Sequence, residues 1–315
     1  MLILSDQDIA KLLTMEEAIF AVEQAFKEYA KETVDMPDRS TIMIEKHNGS
    51  ISFMPSYLQN AQVQATKIIS IYPDNPRKNL PTTIAWIIVI DPETGMIKAF
   101  MDGTYVTAMR TGAITGVAAK YLARKDAKTV TVFGAGVQAR TQVWAIKTVR
   151  DIEQVRVYDP IQATAEKFVA EMSKKLGIEV IQIDSPQKAV YGSDIIITAT
   201  TSSQPVLKCE WMDKKTHVSA IGAFYPNYRE LDTATIAEAK VVVDDLDAVM
   251  REAGDILIPL KEGAITKDHI YAELKDLVSG EKRGRLSEDG LTVFKTVGLA
   301  IQDASVAKMV LNKIE

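Results

Sequence analysis

A chain of 315 residues has room for two domains of ordinary size, and 47% hydrophobic with 25% charged residues is a globular composition, not a disordered one. A net charge of -5 gives no electrostatic reason to expect nucleic acid or an anionic membrane as partner. No apolar run reaches the ~18 residues of a membrane span, and the opening MLILSDQDIA has no basic region before Asp6 and Asp8, so neither a membrane helix nor a secretory signal is expected. Cys209 is the only cysteine, which excludes an internal disulfide and points to a reduced, cytoplasmic protein. The histidines His47, His217 and His269 are scattered, and no metal-ligand spacing appears.

In chain order, Thr14-Met-Glu-Glu17 reads as a capping box that opens a helix, with Ile19, Val22, Phe26 and Tyr29 at helical spacing. Alternating patterns over 62–71, 83–91 and 97–101 predict strands, and Asp91-Pro-Glu-Thr-Gly95 predicts a hairpin turn between the last two. Within the first of these, Val63, Ala65, Lys67, Ile69 and Ile71 share one face. Lys67 is therefore a cation in an apolar row, and a buried lysine needs a partner, either an internal carboxylate or an anionic substrate. Desolvation would also lower its pKa, which suits acid–base work, and a Lys67→Met variant is expected to fold as well or better, because removing an unpaired buried charge should not destabilise.

From Thr104 to Arg124 the pattern is helical, and Arg110 shares a stripe with Val106, Ala113, Ile114, Val117 and Tyr121. An arginine there either snorkels to the rim or grips a carboxylate bidentately.

After Arg124 the texture changes. Short β-branched runs at 129–133, 154–158, 178–182, 194–200, 217–222 and 240–245 alternate with helical stretches, which predicts a parallel, doubly wound sheet. The run TVTVF leads into Gly134-Ala-Gly136-Val137-Gln138-Ala139 and then an amphipathic helix. In that setting Gly134 permits a tight turn and Gly136 lets the backbone approach a pyrophosphate at the helix N-terminus. Asp159 ends the second run, 23 residues after Gly136, where a carboxylate accepts from ribose hydroxyls and repels a 2′-phosphate. This favours NAD over NADP. A last helix, about Thr296 to Lys313, is expected to return to the first domain. The expected organisation is thus an α/β chain: a discontinuous α+β substrate-binding and dimerisation domain, 1–122 completed by 296–315, and a Rossmann domain, 123–295.

The stretches DGTYVTAMRTGAITGVAAKYLAR (102–124), VFGAGVQA, Met36-Pro-Asp-Arg39, the Lys67 strand, LPTT (80–83), ATTSSQPV (199–206), IGAFYPNYRELD (221–232) and TVGLAIQDASVAK (296–308) resemble the ornithine cyclodeaminase/μ-crystallin family, in family order and over nearly the whole chain. The resemblance implies a homodimer built through the first domain. It implies that Arg39 and Arg110 bind the substrate carboxylate and that Lys67 stands at the reacting carbonyl or imine. Thr82, Arg110, Thr111, Gly134, Gly136, Val137, Gln138, Asp159, Thr200 and Thr296 match cofactor positions, and Val297 borders the substrate. One position departs from the pattern. Phe224 stands where cyclodeaminases and their alanine-dehydrogenase relatives carry an aspartate. That loss bears less on reduction of a cyclic ketimine, whose imine is already electrophilic. The expected function is an NAD(P)-dependent oxidoreductase acting on a small α-imino or α-amino acid. Alternatives are an ornithine cyclodeaminase that recycles NAD, and a non-catalytic binder of nicotinamide cofactor like the crystallin.

Overall fold

The computed structural model describes residues 1–285 and 290–314. Its contacts divide the chain into two compact units, Met1–Ile114 with Leu299–Glu315, and Thr115–Gly298. The division falls inside the helix Gly103–Leu122.

The first unit is built on a seven-stranded sheet in the order Leu2–Leu4, Ile97–Asp102, Thr83–Ile90, Val63–Ile71, Gly49–Leu58 and Val34–Asp35, with Ser40–Ile44 also paired to Gly49–Leu58. Only the Leu2–Leu4 pairing is parallel. The period-2 rule explains how it packs. Val63, Ala65, Lys67, Ala85, Ile87, Val89, Ala99 and Met101 face inward and are buried. The helices Met15–Tyr29 and Ala300–Leu311 pack on one another, and Ala300–Leu311 lies against Gly49–Leu58 and Val63–Ile71. The first of these helices opens as the capping box required, with Thr14 and Glu17 each bonding the other's backbone N–H. The turn at Asp91 closes with Gly95 N–H on the Asp91 carbonyl at 2.8 Å, and Gly95 has φ +71.

The second unit carries an eight-stranded, wholly parallel sheet: Glu179–Gln182, Gln154–Tyr158, Thr129–Phe133, Ile195–Thr198, His217–Ala220, Thr292–Lys295, Lys240–Val243, Ile270–Glu273. Helices cover both faces. Val130, Val132, Ile195 and Ile197 join one hydrophobic cluster with Val143 and Phe168, whereas Phe133 and Ile196 join another with Ile236, Val249 and Ile256. Strands buried on both sides read as unbroken apolar runs, which is how they appear in the sequence. All six expected strands form. Two more, Ile270–Glu273 and Thr292–Lys295, were not anticipated, and the second lies inside the sheet between His217–Ala220 and Lys240–Val243. The terminal helix also begins later than expected. Residues 296–299 are a loop with Gly298 at φ +82, and the helix runs Ala300–Leu311.

Candidate active site

In the first unit two cations converge on one carboxylate. Lys67 is buried, and its Nζ lies 2.7 Å from Asp303 Oδ2. Arg110, also buried, donates from Nε to Asp303 Oδ1 at 3.2 Å and from Nη1 to Gln302 Oε1 at 2.7 Å. Arg39, half-buried just before the strand Ser40–Ile44, is close enough for its charge to act on Lys67. Burial first, and the Arg110 charge second, push the Lys67 ammonium down to about 7 against the opposing pull of Asp303. Of the two partners open to Lys67, the internal carboxylate is therefore present. It does not balance the site, because one carboxylate faces the two buried cations Lys67 and Arg110. Lys67 Nζ, Asp303 Oδ2 and Gln302 Nε2 also lack a well-aligned hydrogen bond, although the first two form the ion pair just described. Such a cluster has unspent capacity for a carboxylate and for a group that accepts a proton. Asp303 and Gln302 were not singled out from sequence. Their signal is an adjacent polar pair on a helix whose other residues are mostly apolar. Thr111, one residue beyond Arg110, is buried and donates to the Thr107 carbonyl at 2.7 Å, while Thr82 is exposed ahead of the strand Thr83–Ile90.

In the second unit the loop between Thr129–Phe133 and the helix Val137–Val149 has the form a dinucleotide needs. Gly134 has φ +89, and a Cβ there would meet the Ala199 carbonyl oxygen at 2.5 Å, so only glycine fits. Gly136 faces open space and caps the helix without a side chain, leaving its first N–H groups for an anion. Val137 beside it is 65% exposed, and Gln138 Oε1 is a buried oxygen without a hydrogen-bond partner. Asp159 Oδ2 accepts the Ala135 N–H at 2.9 Å and Oδ1 the Ile161 N–H at 2.8 Å, so this carboxylate braces the glycine loop as well as standing at the strand end. Arg140 adds a second brace, missed in the sequence, by donating to the Ala135 and Gly136 carbonyls at 2.5 and 2.9 Å. These features fit a dinucleotide.

The neighbouring strand ends are held by buried carboxylates. Asp244 Oδ2 accepts from Thr296 Oγ1 at 2.5 Å, Val297 N at 3.0 Å and Gly298 N at 2.8 Å, which fixes the Thr296–Val297 loop. Glu230 holds Thr200 in the same way. Phe224 is 37% exposed, and its ring lies 4.7 Å from that of Tyr225. The Cys209 thiol is pushed up to about 11 by burial and by Glu238 and Asp232, the reverse of an activated nucleophile. Among the described residues no group of three or more His, Cys, Asp or Glu could hold a metal ion, and no helix is long and apolar enough to cross a membrane.

The Thermococcus litoralis structure of Δ1-pyrroline-2-carboxylate reductase with NADH and L-proline superposes with a TM-score of 0.97 at 50% identity, covering 99% of this chain and 97% of that one. An archaeal alanine dehydrogenase dimer with bound NAD gives 0.93 at 39% identity, covering 100% and 97%. A Bacillus cereus Δ1-pyrroline-2-carboxylate reductase is 36% identical over 99% of this chain and 96% of its own length. The sequence model of one family matches residues 1–315, and the chain belongs to the ornithine cyclodeaminase/mu-crystallin family.

Proposed function

We propose that this chain is an NAD-dependent reductase of a small α-imino acid, with a cyclic ketimine such as Δ1-pyrroline-2-carboxylate as the favoured substrate. The observation that carries the reading is the buried excess of positive charge around Lys67, Arg110 and Asp303. Arg110 and Arg39 take the substrate carboxylate. Because Arg110 Nε is already committed to Asp303, the grip comes from its remaining N–H groups, not from the Nε edge. Lys67, poised near neutrality, hands a proton to the imine nitrogen as the carbon is reduced. Reduced nicotinamide, when bound, supplies the hydride. Gly134, Gly136, Val137, Gln138, Asp159, Thr200 and Thr296 hold the dinucleotide, Thr82 and Thr111 border it, and Val297 borders the substrate. Asp159 sets the preference for NADH over NADPH by repelling a 2′-phosphate. Phe224 favours reduction over cyclodeamination, since no carboxylate stands there to manage a second amine or an attacking water. The lone cysteine supports a cytoplasmic setting. The dimeric alanine dehydrogenase supports a homodimer.

The test is a panel of Δ1-pyrroline-2-carboxylate, its six-membered homologue, pyruvate with ammonia, and ornithine, each assayed with NADH and NADPH. The expected result is oxidation of NADH by the cyclic imino acids, with kcat/KM for NADH exceeding that for NADPH by about tenfold or more. Ammonia from ornithine without net NADH consumption would make the protein a lyase. NADH binding with no turnover of any member would make it a binder.

A further inference from the structure

We infer that Glu230 is a positioning residue for the dinucleotide: its carboxylate sets the shape of the two loops that lie beside the glycine loop at the carboxyl edge of the parallel sheet. The inference rests on the reading that this edge takes a dinucleotide. Ligands of doubly wound sheets bind outside the carboxyl ends of the strands. Two adjacent strands, Ile195–Thr198 and His217–Ala220, end there and need their loops fixed.

Glu230 is fully buried and lies on neither strand. Its Oε1 accepts from Thr200 N at 2.7 Å and Thr200 Oγ1 at 2.8 Å. Its Oε2 accepts from Gly222 N at 2.6 Å and Thr198 Oγ1 at 2.9 Å. One carboxylate thus collects four donors from the ends of two strands. With its O–H donated to Glu230, the Thr200 hydroxyl oxygen accepts the Ser202 N–H at 3.2 Å, so the 199–204 loop is ordered outward from the carboxylate. The backbones are pressed together along the same line. A Cβ on Gly222 would fall 2.2 Å from the Thr200 carbonyl oxygen, and one on Gly134 would fall 2.5 Å from that of Ala199. Glycine loop, 199–200 and Gly222 are therefore contiguous, and a shift in one is passed to the next.

Glu230 is itself fixed from behind. Its own N–H and that of Leu231 donate to Asp255 Oδ1 at 2.8 and 2.9 Å. Asp255 Oδ2 lies 2.9 Å from buried Lys295 Nζ, which also donates to the Ala223 carbonyl beside Phe224 at 2.5 Å. This buried polar set, with Asp255 Oδ2 held by the ion pair to Lys295, lies behind the same two loops.

The experiment replaces Glu230 by Gln in the full chain and measures the Kd for NADH by fluorescence, together with the thermal midpoint. A glutamine keeps the shape but turns one oxygen into an NH2 group facing a backbone N–H, either that of Gly222 or that of Thr200. The expected result is a folded protein whose Kd for NADH rises about tenfold or more, the scale of one abandoned buried donor. Thr198→Val is the comparison. It removes a bond to the same carboxylate from within the strand and should lower the midpoint while leaving Kd within about twofold. A merely structural Glu230 would lower the midpoint in both variants and move Kd in neither, and that outcome overturns the inference. Should Glu230→Gln fail to fold, Glu230→Asp keeps the charge but cannot span both loops, and an unchanged Kd there overturns it equally. Failure of the wild-type protein to bind NADH would instead refute the reading on which the inference rests.

Discussion

Lys67 and Asp303 form the buried ion pair on which the proposed chemistry turns, and the two have separable effects. Replacing Lys67 with Met should cut kcat by about 10²–10⁴, the usual worth of a positioned proton donor. The variant is not expected to be as stable as the wild type, as an unpaired lysine would have implied. Asp303 would lose a partner at 2.7 Å and keep Arg110 at 3.2 Å, so the cost falls below the roughly 3–5 kcal/mol of a wholly abandoned buried charge. Thermal midpoint and kcat measured on the same preparation check both statements, and an unchanged kcat would remove Lys67 from the chemistry. The pH dependence follows from the ammonium at about 7. A proton donor is lost as pH rises, so kcat should fall above about 7. Stability moves the other way. Between about 7 and the ordinary lysine value the unfolded chain holds the extra proton, so the Lys67 contribution to stability grows with pH. Asp303→Asn removes the group that holds the ammonium up and should shift the fall in kcat to lower pH.

At the level of single elements, the strand His217–Ala220 carries a buried titratable group that the reaction does not use. His217 Nδ1 lies 2.9 Å from Thr292 Oγ1 on the adjoining strand, and Nε2 lies 3.2 Å from Ser219 Oγ. Burial, then the charges of Arg285 and Arg150, push the imidazole down to about 3. Both arginines also hold carbonyls at the end of the helix Gly103–Leu122: Arg150 donates to those of Ala119 and Ala123, and Arg285 to that of Leu122. With the folded value below the unfolded one, the unfolded chain takes up the proton as pH falls below 6.5. Stability is then lost by roughly 1.4 kcal/mol per pH unit over the window down to about 3. Thermal midpoints at pH 7 and pH 5 should therefore drop more in the wild type than in His217→Gln, and parallel drops would show that His217 is not the group responsible.

For the whole molecule, the outward face of the first unit's sheet bears on assembly. Phe53, Ile68 and Trp86 stand in register across three strands, and Trp86 and Ile84 remain 43% and 40% exposed. A contiguous apolar sheet face of this kind is the mark of a covered surface. The expected partner is a second copy of the chain. Sedimentation should give twice the monomer mass for the wild type, and Trp86→Glu should shift it toward the monomer with NADH binding retained. A monomeric wild type would end the proposal.

The sequence by itself determined the class of fold, the parallel strands of the second unit, the glycine loop and the placing of Lys67 and Arg110 within apolar rows. These depend on local periodicity, on fixed spacing or on a charge within an apolar row, all of which can be read along the chain. Tertiary structure alone decided what those charges meet. Asp303 lies on the final helix, far along the chain from Lys67, and spacing carries no information about contacts between remote elements. The same reason hid Glu230 and Asp244, whose oxygens collect donors from loops on other strands, and the strand Thr292–Lys295, a four-residue segment whose place inside the sheet comes from its neighbours and not from its own pattern.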